Sequence, residues 1–155
     1  MYDHHKQLYG IDKDDGTIEW DEITPVPDKT VSIELYHIDV GVFFSPEGAD
    51  FYMHTVHGCN DSEFQDAFDK TTLAMAFASG KDGSVDHIGV IFPTPPDGGL
   101  LAHECLHLVD YICDEIGIEL TMDTMEPRAY MLQYLFDNIS EAIGEWQEEY
   151  PTWPN

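Results

Sequence analysis

The sequence predicts an α+β fold with a small, mostly antiparallel sheet. Three observations carry it: β-branched and aromatic runs between residues 31 and 57, a further such run at 87–92, and two long helical patterns after residue 100. Length and composition suit this reading. A chain of 155 residues with 43% hydrophobic content makes one domain with a real core.

Taken in order, residues 1–30 form an acidic N-terminal segment with GIDKDDG and TPVPD as turns and TIEW as a short strand. VSIELYHI and VGVFF read as two strands, SPEGAD as a turn and FYMHTVH as a third strand. Asn60 or Asp61 is placed to cap a helix through SEFQDAFDKTTLAMAFA that stops at Ser79 and Gly80. KDGSVD is a loop and HIGVIF, residues 87–92, a strand. After the rigid connector PTPPDGG, a helix runs from about Leu100 to Ile116 and ends at Gly117. A second spans Met125 to Gln147, and residues 148–155 read as a loose tail in which Trp153 has the chance to dock.

The net charge of −25 excludes some functions. It repels a phosphate backbone and an anionic membrane surface, so neither direct nucleic-acid binding nor a membrane role is expected. Three readings of the acidity stay open: solubility, a high-salt environment, or a negative face for a basic protein partner, including mimicry of DNA. No apolar leader or spanning segment is visible, and Cys59, Cys105 and Cys113 do not form a disulfide pattern. A reducing cytoplasm is the expectation.

The chemistry concentrates in LLAHECLHLVDYICDEIG, residues 100–117. With His103 at 0°, His107 falls at about 40°, Asp110 near −20° and Asp114 near +20°, while Leu101, Cys105, Leu108, Val109, Ile112 and Ile116 gather around 180°. The two histidines are therefore off the core stripe and spaced so that both imidazoles reach one Zn²⁺. Glu104, at about 100°, sits beside them as candidate general base for a metal-bound water. HExxH is short and also arises by chance. Catalytic zinc needs a third protein ligand. Cys113 points away on a continuous helix. Asp110 lies about 10 Å along the axis from His103, too far to bind directly, and is assigned to orienting an imidazole. His54, His57 and Cys59 do not read as a second metal site, because i and i+3 on a strand face opposite ways.

Glu126 is the remaining candidate, and HECLH with Glu126 in MEPRAYMLQY, eighteen residues intervening, resembles the gluzincin arrangement of zinc metallopeptidases. The stretch GGLLAHECLHLVDYICDEIGIELTMDTMEPRAYMLQYL is also similar to small phage-type proteins with a minimal zincin core. The resemblance covers mostly residues 92–137. It implies a single zincin-like domain, an active-site helix and a C-terminal helix, and zinc held by His103, His107 and Glu126. Two features depart from the larger gluzincins: Tyr130 stands where they carry an acidic residue, and their GxMEN motif is absent. Glu126 also has a plain role, as an acidic residue at a helix N-terminus beside Pro127.

The implied reaction is hydrolysis of a peptide or isopeptide bond, with Glu104 moving the proton, Tyr130 or Tyr134 donating to the oxyanion, and the strand HIGVIF as the edge that pairs with an extended substrate. The rival reading is an acidic binding protein on the same fold, a phage anti-defence protein or DNA mimic, in which metal is structural or absent.

Overall fold

The computed structural model describes residues 8–12, 18–22, 26–58, 63–68, 72–80 and 87–154. The expected caps Asn60 and Asp61, Cys59 and the loop KDGSVD lie outside these residues. Strands β1 (Leu8–Asp12) and β2 (Ile18–Glu22) pair antiparallel, with Gly10 opposite Trp20. IEW is a strand as expected. GID, expected to turn, is instead part of β1, where Gly10 takes its place in the ladder. A glycine weakens a strand without forbidding it.

The main sheet has four strands, β3 (Lys29–Ile33), β4 (Ile38–Phe43), β5 (Met75–Ser79) and β6 (His87–Ile91), in the order β3-β4-β6-β5. The β3–β4 and β5–β6 pairs are antiparallel and β4–β6 is parallel. The fold is thus α+β with a mostly antiparallel sheet. Segment VSIELYHI is broken into β3, a 3₁₀ turn over Glu34–Tyr36, and the start of β4.

One face of the sheet, carrying Val31, Ile33, Val40, Val42, Ile88 and Val90, packs on the two long helices. The other carries Phe43, Phe77 and Ile91 against Ala49 and Met53. Gly89 has a specific reason to lack a side chain: a Cβ there would sit 2.6 Å from Cζ of Phe77. Strand β6 is covered on both faces, which is why it reads as a continuous apolar run rather than an alternating one. It is also interior, between β4 and β5, so the expectation that HIGVIF is an edge is corrected. The edges are β3 and β5.

Residues 46–79 depart most from the sequence reading. SPEGAD and FYMHTVH are not a turn and a strand but one helix, α1 (Pro46–His57). Ser45 accepts the Gly48 N–H at 3.0 Å, Pro46 stands in the first turn, and Gly58 closes the helix with φ 65°. Cap chemistry at both ends outweighs the β propensity of Phe51, Tyr52, Thr55 and Val56. The long helix expected over 62–78 is only α2 (Glu63–Phe68), and LAMAFA supplies β5. The backbone of β5 finds a ladder on β6, and Phe77 finds the surface over Gly89; neither is visible locally.

Helix α3 (Gly98–Ile116) begins two residues earlier than expected. Asp97 accepts the Leu100 N–H at 2.7 Å, and Gly117 terminates it with φ 73°. Its buried stripe includes Leu101, Cys105, Leu108, Val109 and Ile112. Helix α4 (Met125–Glu149) presents Met131, Leu135, Ile139, Ile143 and Trp146 to the same core. The tail is not loose at Trp153: its ring meets Phe44 edge-on and its Nε1–H donates to the Phe44 carbonyl at 3.2 Å. An indole that satisfies both its apolar ring and its N–H has reason to dock. Among the described residues no helix is long and apolar enough to cross a membrane.

Candidate metal centre on helix α3

His103 and His107 are both exposed, one turn apart on the solvent side of α3. Their Nε2 atoms stand 3.1 Å apart and the rings meet at 79°. Two geometries bring nitrogens this close: one shared N–H, or one shared ion. A tetrahedral zinc with bonds of about 2.0–2.1 Å places two nitrogens about 3.3–3.4 Å apart. The observed separation is a few tenths of an ångström short of that edge, well within rotamer adjustment.

Glu104, the next residue, is in the opposite environment. Only 5% exposed, its Oε2 accepts the Ala76 N–H of β5 at 2.7 Å. The helical angle put it on the shoulder of the polar stripe, and β5 covers that shoulder. Twenty-eight residues separate the partners, and Ala76 lies in a segment that reads as helix, so no local signal points to this bond.

Glu126 and Tyr130 are exposed on the first turns of α4. Among the described residues, no three His, Cys, Asp or Glu side chains stand together to hold an ion, so Glu126 does not join the histidine pair here. The junction between the helices is tied in place. Arg128 donates to the carbonyls of Thr121 and Thr124, at 3.1 and 3.3 Å, and Thr124 Oγ1 donates to the Glu119 carbonyl. These bonds fix where α4 starts. Tyr134, the other oxyanion candidate, has its hydroxyl bound to the Ser32 carbonyl at 2.7 Å and thereby covers the β3 edge. Asp110 is half-buried, three residues beyond His107.

The cysteines on this helix belong to the core. Cys105 is fully buried, and burial, with the nearby Glu104 charge second, pushes its thiol up to about 12. Burial likewise raises Cys113. A thiol held protonated is a poor zinc ligand. His54 and His57 are on helix α1, not a strand, so the alternation of strand faces does not separate them. His54 Nδ1 lies 2.9 Å from the Asp50 carbonyl, a local bond within its own helix.

Set against family models, curated proteins and solved structures, the chain matches none of them.

Proposed function

We propose that the chain is a zinc-dependent metallopeptidase of the HExxH type that hydrolyses a peptide or isopeptide bond. The observation that carries this is the pair of exposed imidazoles with Nε2 atoms 3.1 Å apart. His103 and His107 are two of the donors such an ion takes, and Glu126 is the candidate third, although it stands apart from the pair in this structure. When bound, zinc supplies an activated water at neutral pH and polarises a carbonyl. The chain's own contribution is positional. Glu104 takes the proton of the attacking water and returns it to the leaving amine, and its bond to Ala76 N–H fixes the plane of the carboxylate. Strand β5, not β6, is the edge beside α3 that an extended peptide meets, and Tyr130 is the exposed hydroxyl near the start of α4. A charge of −25 favours basic substrates or partners. Free, buried Cys105 and Cys113 suit a reducing cytoplasm.

Zinc content by mass spectrometry tests this. Wild type is expected to hold about one zinc per chain and His103→Ala much less, since the ion needs both imidazoles. Glu104→Gln should keep zinc and lose hydrolysis. Wild type that holds no zinc after exposure to it overturns the reading.

One observation favours a second reading. Glu104 is buried and bonded to a strand, which is what a structural residue does as well. If Glu104→Gln keeps full biological effect, the chain is a non-catalytic acidic binding protein, of DNA-mimic or anti-defence kind.

A further inference from the structure

A concave feature lies at the other end of the sheet from the histidine pair. It is a cleft of about 410 Å³ whose lining includes His37, Asp39, Gly41, Tyr52, His87 and Glu115. Small-molecule sites begin at about 300 Å³. Glu104 meets β5 at Ala76, which pairs with Val90 of β6, whereas the cleft opens at His87, at the far end of β6. Glu115 is eight residues beyond His107, the nearer of the pair, about 12 Å along the axis of α3. The cleft is therefore separate from the histidine pair.

Its polar groups come from separate elements. Thr30 is on β3, Asp39 on β4, Tyr52 on α1, His87 on β6 and Glu115 on the last turn of α3. His37 joins them from the turn before β4, with φ 53°. The inner wall is aromatic: the Tyr52 and His87 rings have centroids 4.9 Å apart, and Phe43 lies behind at 6.2 Å from His87. The floor at Gly41 has no side chain; a Cβ there would come 3.2 Å from His87 Nε2. The two carboxylates, Asp39 and Glu115, are exposed at the rim, and Asp39 is oriented by the Ser32 hydroxyl at 2.6 Å.

We propose that this cleft binds a small organic cation, a primary amine or guanidinium on a short apolar stem. Three features of the lining select that class. Among the described residues no Lys or Arg lines the cleft, so an anion finds no permanent countercharge while meeting two carboxylates. Among the same residues no three potential ligands converge, so a bare metal ion is not held. An ammonium at the rim pairs with Asp39 and Glu115 while its stem covers the aromatic wall, which attracts cations on its faces. Burial, with the Asp39 charge second, raises the Tyr52 phenol, so it stays uncharged.

The test is calorimetric titration of the intact chain with phenethylammonium, phenethyl alcohol and phenylacetate, with amide spectra to locate the site. Phenethylammonium is expected to bind and to shift Gly41, Tyr52 and His87, and the other two probes to bind at least about tenfold more weakly, as loss of a charge pair implies. Asp39→Asn with Glu115→Gln should weaken the cation about tenfold. Glu141→Gln with Glu148→Gln, which removes as much charge from exposed positions on α4, should change it less than about twofold. Equal loss in both double variants would mean diffuse attraction to an acidic protein and would overturn the proposal, as would equal binding of the alcohol. If the Asp39 change disturbs folding, Glu115→Gln alone, at an exposed helix position, decides: an unchanged Kd overturns the proposal.

Discussion

Among the described residues two carboxylates are buried, Asp50 on α1 and Glu104 on α3, each 5% exposed. Both do the same structural job. Asp50 accepts the N–H groups of Phe64 and Gln65, at 3.3 and 3.1 Å, and so holds the start of α2 against α1. Glu104 accepts the Ala76 N–H at 2.7 Å and holds β5 against α3. They differ in their neighbourhoods. Asp50 is flanked by Ala49 and by residues of a small aromatic cluster, whereas Glu104 is bracketed by an exposed histidine before it and another three residues after. A buried carboxylate is thus no sign of catalysis by itself; position beside a pair of accessible imidazoles is what separates the two.

Mutation sharpens the contrast. Glu104→Ala should cost about 2–4 kcal/mol in urea denaturation, because it orphans a strand N–H and opens a cavity. Glu104→Gln retains an acceptor and should cost about 1 kcal/mol. A loss as large as that of the alanine variant would show that charge, not the bond, holds β5. Asp50→Ala should cost less, about 1–2 kcal/mol, in the range of a lost helix cap. If it exceeds Glu104→Ala, the order assigned to the two sites is wrong.

Acid tests Asp50 further. Burial raises the Asp50 carboxyl above its ordinary 3.8, against the opposing pull of its two backbone bonds. A raised folded pKa means the group's contribution is fully present below the unfolded value and is lost as pH rises through the folded one. Wild type should therefore gain stability relative to Asp50→Asn as pH falls from 7 toward 4, read from urea midpoints at each pH. A flat difference across that range would contradict the burial cause. The smallest effect is at Cys105. With its thiol at about 12, it should resist alkylation in the native protein at pH 8 and react on unfolding, as located by peptide mass spectrometry.

How much was legible follows from where the information resided. Helix α3 carried its own instructions: Asp97 to start, Gly117 to stop, and Leu101, Cys105, Leu108 and Ile112 to bury. The exposure of His103 and His107 followed from the same stripe. Residues 46–79 mislead because their decisive contacts are not in the local pattern. Helix α1 took its cap from Ser45 despite β-forming residues beyond it, and LAMAFA became a strand because β6 offered a ladder. In the site, the Ala76 partner of Glu104 was invisible for the same reason, and the gap between HECLH and Glu126 set a spacing without setting a distance.

By itself, then, the sequence determined the α+β class, the two long helices and the pair of imidazoles one turn apart, because caps, stripes and i,i+4 spacing are local. The tertiary structure alone decided that β6 is interior and β5 an edge, that Glu104 lies beneath that edge, and that His37, Asp39, Tyr52, His87 and Glu115 share a cleft. Each of these depends on which elements pack side by side, and packing partners far apart in the chain leave no periodic trace in either one.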